Sequence, residues 1–211
     1  MNVTMQPIRR GRKFAQVLEG ARKVFLRDGF GVASVDDIAR EAGVSKATLY
    51  AYFPDKQSLF FEVARQECEK MAQETLARID QNAPPAQVLP EVARSLTRFL
   101  VSGFAQRVFR ICVAEADRFP ELGRHFYACG PELGRERTKA YLAAARDRGE
   151  LRVEDLDLAA EQFGELCKAT LWAKSIFGVK TSFSEAEIDR AARGAVETFL
   201  ARYGAAQTDR D

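Results

Sequence analysis

Few side chains in this sequence could do bond chemistry, and they are scattered. His125 is the single histidine among 211 residues. It stands in Gly123-Arg124-His125-Phe126, with no second histidine or cysteine at metal-ligand spacing and no serine elbow around it. Cys68, Cys112, Cys129 and Cys167 form no CxxC pair. A chain of this length needs no disulfide scaffold, so a reduced, cytoplasmic protein is expected. Glu115 and Asp117 are two positions apart, which on a helix turns them about 200° from one another, too far to share a proton. No glycine-rich phosphate loop is present. The chain is therefore expected to be no enzyme and to carry neither metal nor cofactor.

Contact chemistry is better supplied. In Ser45-Lys46-Ala47-Thr48-Leu49-Tyr50-Ala51-Tyr52, apolar Leu49 interrupts a run of small and polar residues. Ser45 and Lys46 can approach bases or phosphates. Ala47 is small enough to let the backbone near a base edge, and its methyl suits a thymine. Thr48 offers a hydroxyl and a methyl, while Tyr50 and Tyr52 bring hydroxyls that bond phosphate without adding charge. Lys56 falls in the first turn of a following helix, a poor place for a cation unless a phosphate lies before it. Ser34 and the open amides of another helix start form a second phosphate site. Arg12 belongs to a basic start that also holds Arg9, Arg10 and Lys13. Residues 1–60 carry ten Lys/Arg against six Asp/Glu, and the remainder 22 against 24. That is a cationic module joined to a near-neutral one.

Helices must position these groups, because the apolar period is 3.6 almost throughout and no alternating run suggests a sheet. The first is expected over about 12–28, with Phe14, Val17, Leu18, Ala21 and Phe25 on one face and Gly29 ending it. Ser34 caps the second, which stops at Gly43, and Ser45 caps the third, which ends near Phe53-Pro54. Ala39 allows a close crossing and Gly43 the positive φ of a tight turn, while Val44 and Leu49 bury against Ile38. Asp55 caps a fourth helix of about 24 residues. After the breaker Asn82-Ala83-Pro84-Pro85, further helices are expected over about 87–101, 104–117, 121–148, 156–177 and 185–203. Gly130-Pro131 would kink or divide the seventh. Ser184-Glu185-Ala186-Glu187 is a capping box for the ninth, and the last seven residues are expected to fray.

A family resemblance lies in one dense stretch. It reads Ala21-x-x-Val24-Phe25-x-x-x-Gly29-Phe30, then Ser34-Val35-x-Asp37-Ile38-Ala39-x-x-Ala42-Gly43-Val44-Ser45-Lys46-x-Thr48-Leu49-Tyr50-x-Tyr52-Phe53-x-x-Lys56-x-x-Leu59. Residues 14–60 resemble the DNA-binding domain of the TetR family of transcriptional regulators, and the remainder is similar, in its helix count and Phe/Cys-rich style, to AcrR-like regulators. The resemblance implies that Lys46, Thr48 and Tyr50 work at the recognition face, that Tyr52 and Lys56 clamp the DNA backbone, and that Ser34 anchors another phosphate. The expected protein is all-α, of about nine helices. A three-helix helix-turn-helix domain at 10–60, with a linking helix to about 80, precedes a larger helical effector-binding and dimerisation domain at 84–204.

Double-stranded operator DNA is the expected partner, read by a homodimer, since one helix in one groove gives a short footprint. The pairing surface is placed on the last two helices, with Ala169, Trp172, Ala173, Ala192, Ala195 and Phe199 as its residues. Fifteen phenylalanines are many for this length. Phe99, Phe104, Phe109, Phe119, Phe126, Phe163 and Phe177 are assigned to the second domain, where an irregular helix could leave a pocket. A small, largely apolar effector is expected there against Phe104, Phe109, Cys112, Phe126, Phe163 and Cys167, releasing a repressor from its operator. The competing expectation is a helical protein-interaction adaptor without specific DNA binding. No apolar run reaches membrane-spanning length.

Overall fold

The computed structural model describes residues 11–205 and is helical, with no strand among the described residues. Arg9 and Arg10 of the basic start, and all but one of the seven terminal residues expected to fray, lie outside that range. The chain divides into two compact units. One holds the residues up to Glu67 together with Ile111–Phe126, and the other Cys68–Arg110 with the residues from Tyr127 onward. The division therefore falls inside helices and not at the Asn82–Pro85 breaker.

The first unit is built on α1 (Arg12–Val32), α2 (Val35–Ala42), α3 (Lys46–Tyr52) and the start of α4 (Lys56–Leu76). The helix expected to end at Gly29 runs three residues further, but across a kink, because Gly29 itself sits at φ 78°. Phe14, Val17, Leu18, Ala21, Val24 and Phe25 are buried along α1 as its spacing predicts. Phe30 meets Phe25, Phe60 and Phe119 at ring distances of 6.0, 5.3 and 6.1 Å. Phe119, expected in the second domain, thus belongs to the aromatic core of the first unit.

The second unit contains α5 (Pro85–Leu100), most of α6 (Gly103–Glu115), α8 (Leu133–Asp147), α9 (Leu156–Leu166), α10 (Trp172–Ile176) and α11 (Glu185–Tyr203). Its core gathers Leu89, Ala93, Leu142, Ala145, Phe163, Ala192, Ala195, Val196 and Phe199. Between α7 (Pro120–Tyr127) and α8 the chain is neither simply kinked nor divided at Gly130-Pro131: Ala128–Glu132 winds on as a π-helical turn, a geometry that accommodates a residue lacking an N–H. The helix expected over 156–177 is broken into α9 and α10, with Thr170 in the left-handed region at φ 67°. Buried Thr97 closes the break on one side, its hydroxyl donating to the Cys167 carbonyl at 3.1 Å, one of the carbonyls a helix end leaves without a partner. The capping box at Ser184 forms as expected and starts α11.

Candidate nucleic-acid interface

Local chemistry sets the pair α2–α3. The Ser34 hydroxyl oxygen accepts from the Asp37 N–H at 3.1 Å and so starts α2. Gly43 ends it at φ 63°, and the Val44 N–H returns to the Ala39 carbonyl at 3.0 Å, the closure expected when a glycine follows a helix. One residue later Ser45 caps α3, accepting from the Thr48 N–H at 3.1 Å, with the two hydroxyl oxygens 2.9 Å apart. Leu49 and Ile38 are both fully buried, which pins one face of α3 to the unit. The opposite face is left to solvent: Ser45, Lys46, Ala47, Tyr50 and Ala51 are exposed, Tyr50 by 51%.

The sequence did not point to what brings α1 so near α2. A Cβ placed on Gly20 would lie 2.7 Å from both the Cβ and the backbone nitrogen of Ala42. Gly20 therefore permits the α1–α2 crossing, which is distinct from the close α2–α3 crossing expected from Ala39. A glycine at a buried helix position, on the face that carries Val17 and Val24, was the available signal.

Lys46 pairs with Asp36 at 2.5 Å, both side chains being more than half exposed. Such a surface pair contributes little and can be exchanged for a phosphate at small cost. Thr48 is half-buried beside Ser45. Tyr52 is half-buried too, its ring edge-on to Phe14 at 5.6 Å. Arg12 is exposed in the first turn of α1. These residues share one unit, and Ser34 and Ser45 each stand at a helix start whose amides are open to an anion.

Lys56 is placed otherwise than expected. Its ammonium donates to the carbonyls of Phe30 at 2.7 Å and Ala33 at 2.9 Å, with Gly31 at 3.4 Å. It also lies 4.6 Å from the Phe30 ring centre. Burial pushes its pKa below the ordinary lysine value, with Glu115 acting in the opposite sense. The cation thus satisfies carbonyls at the end of α1, where a helix favours positive charge, and holds the segment that delivers Ser34. These internal contacts account for a cation in the first turn of α4 without calling on the phosphate expected for Lys56.

The six effector candidates divide between the two units. Cys112 and Phe126 belong to the first unit, and Phe104, Phe109, Phe163 and Cys167 to the second. Phe163 is fully buried, edge-on to Phe199 at 5.2 Å, so it is filled core. Burial pushes the Cys112 and Cys167 thiols up to about 12, which leaves neither a nucleophile. Phe109 packs edge-on against Trp172 at 5.1 Å. The dimer candidates also separate. Ala192, Ala195 and Phe199 are buried in the unit's own core, whereas Ala169 and Ala173 are exposed beside half-buried Trp172. An open groove of about 300 Å³ lies between Leu166, Ala169 and Thr170 on one side and Ala191, Gly194 and Thr198 of α11 on the other. His125 stacks on Phe61 at 4.3 Å and its Nδ1 lies 2.9 Å from the Glu121 carbonyl, the arrangement of a satisfied surface histidine.

Comparison with known proteins agrees with this geometry. Residues 17–63 match the family described as bacterial regulatory proteins, tetR family, and residues 87–205 the C-terminal domain of AefR-like transcriptional repressors. The chain is 31% identical to a TetR-family transcriptional regulator from Mesorhizobium loti MAFF303099, with a TM-score of 0.78 over 92% of this chain and 97% of that one. It is 33% identical to the flavonoid-responsive regulator FrrA, with a TM-score of 0.72 over 92% and 98% of the two chains. The HTH-type transcriptional repressor Rv1474c of Mycobacterium tuberculosis is 33% identical over 116 residues, which are 49% of this chain and 62% of that protein. The match thus spans less than two thirds of that curated relative's length. With a capped, exposed α3 held by Leu49 and both halves matched in order, the chain belongs to the TetR family of DNA-binding transcriptional regulators.

Proposed function

We propose that this regulator is a repressor that binds its operator as a two-fold dimer, with α3 in the major groove of each half-site and a small, largely apolar ligand releasing it. The observation that carries the reading is the division of α3 into a buried face at Leu49 and an exposed face at Ser45, Lys46, Ala47 and Tyr50. A groove about 12 Å wide admits one such helix. Lys46 and Tyr50 supply contacts from α3, Thr48 adds a methyl and a hydroxyl, and the amides capped by Ser34 and Ser45 receive phosphates. Tyr52 and Arg12 flank them.

The helix-turn-helix domain is taken as residues 10–60, with the effector and pairing functions in 84–204. Two-fold pairing is assigned to the side of α9–α11 that carries Ala169, Ala173, Gly194 and Thr198. The responsiveness of FrrA to flavonoids makes an aromatic ligand the first class to try here. α4 and α6 each contribute residues to both units, so a ligand that prefers one packing of the second unit's helices can act on the first through continuous backbone, shifting the population away from the operator.

The test is an anisotropy titration with the DNA upstream of the protein's own gene, over a range of salt. Tight, salt-dependent binding with two chains per operator is expected. Lys46→Ala should weaken it and lower the salt slope by about 0.9 for one lost phosphate contact. Indifference to every duplex at low salt overturns the reading and favours a protein-interaction adaptor.

A further inference from the structure

Gln106 is a buried polar side chain whose amide oxygen meets no partner among the described residues. It is 3% exposed on α6, and its Nε2 donates to the Leu100 carbonyl at 2.6 Å. Its Oε1 is buried and meets no donor among the described residues. The amide orientation follows from chemistry: exchanging its oxygen and nitrogen would set one acceptor against another at Leu100. Oε1 is therefore the atom left over. Folded proteins rarely leave a buried acceptor without water or ligand, since its desolvation is not recovered.

The surroundings say what kind of ligand. Residues three and four apart share a helix face, so Gln106 stands with Phe109 and Arg110. Both reach α10 within the same unit: Phe109 meets the Trp172 ring at 5.1 Å and 78°, and the Arg110 guanidinium donates to the Ile176 carbonyl at 3.3 Å. α10 is the short helix that follows the break at Thr170. Gln106 thus shares a face of α6 with two residues that contact α10, one of them through a pair of large rings.

We propose that Gln106 Oε1 is the polar anchor of the effector site and selects an aromatic ligand bearing a hydroxyl donor. The inference rests on the ligand-release reading above and deepens it. A phenol gives its proton to Oε1 while its ring lies near Phe109 and Trp172. The methyl ether of the same phenol brings no donor and leaves the acceptor desolvated, the case in which polar sites discriminate strongly. An anionic group brings only acceptors and is rejected.

The experiment titrates the full chain by calorimetry with flavone, monohydroxyflavones differing in hydroxyl position, and the matching methoxyflavones. Operator release is followed in parallel by anisotropy. For at least one position the phenol should bind the natural chain about tenfold more tightly than its ether, which corresponds to about 1.4 kcal/mol. Gln106→Leu should bring that ratio near one while still binding the ether. Gln106→Met serves the same purpose should the leucine variant fold poorly, melting curves deciding which is used. Equal affinities for phenol and ether in the natural chain at every position overturn the anchor, as does a ratio the substitutions leave unchanged, with the ligand-release reading intact. Ligands that neither bind nor release the natural chain overturn the aromatic-effector reading itself, a result distinct from either.

Discussion

Replacing Lys56 by methionine separates an internal tie from a phosphate contact. The substitution keeps length and apolar stem but removes the charge that donates at 2.7 and 2.9 Å to the Phe30 and Ala33 carbonyls. Each hydrogen bond from a charged group contributes about 1.5–3 kcal/mol when well formed. Lys56 is only half-buried, so solvent screening reduces the sum, and a loss of about 2 kcal/mol in all is expected. For a chain of this length that lowers the melting temperature by about 4–8 °C. Operator affinity should fall as well, because the carbonyl of Ala33 immediately precedes the Ser34 cap. The fall should be the same at every salt concentration, so that log K against log salt gives a line parallel to that of the natural chain. A phosphate ligand would instead take about 0.9 from the slope. Thermal melting and anisotropy titrations across salt read both quantities. An unchanged melting temperature together with a slope reduced by about one would refute the internal role.

Three further substitutions test the packing and the electrostatics. Gly20→Ala should destabilise the first unit, since its Cβ would meet backbone atoms of Ala42 below 3.0 Å and overpacking costs about 1–3 kcal/mol. Gly134→Ala on α8, with nothing within 4 Å of the added carbon, should instead raise stability by about 0.5–1 kcal/mol from helix propensity. Equal melting shifts for the two would remove the argument for a close α1–α2 crossing. The hydrogen bond from Lys180, and next the Ser184 N–H, hold the Glu187 carboxyl down from 4.5 to about 2. A carboxyl depressed in the folded state stabilises above its unfolded value, and that contribution disappears as pH falls through the folded one. Acid unfolding followed by circular dichroism should therefore separate the natural chain from Glu187→Gln above about pH 4.5, the two curves converging toward pH 2. Parallel curves across that window would show the pair contributes nothing.

The parts of the fold that were legible are those decided within four or five residues. Ser34, Ser45 and Ser184 start helices because a serine oxygen reaches an amide three positions on, and Gly43 stops one because a positive φ suits it. Leu49 could be assigned to the inside and Tyr50 to the outside from the period alone. What stayed hidden was decided by partners far along the chain. Lys56 finds its carbonyls 23 to 26 positions earlier, so helix-dipole reasoning on its own helix pointed to a phosphate. The break at Thr170 has no glycine or proline to announce it between Leu166 and Trp172. It is supported from 70 positions away by Thr97. Gln106 gave no sign in the sequence, because a lone glutamine in an apolar helix reads as surface until its burial is known.

The second unit shows a sharper limit of pattern. A helix with small and apolar residues on more than one face states that two faces are to be covered, not by what. On α11, Ala192, Ala195 and Phe199 proved to be one face and to serve the unit's own core. Arg190, Gly194 and Thr198, together with Ala169, line the open groove where pairing is proposed. Gly194 has nothing within 4 Å of where its Cβ would stand, so a second helix can approach there more closely than over any larger residue. A pairing surface built from Phe199 would have cost the subunit its core. The pairing proposed around Gly194 costs it nothing, and on that proposal dimerisation and folding can be separated by substitution.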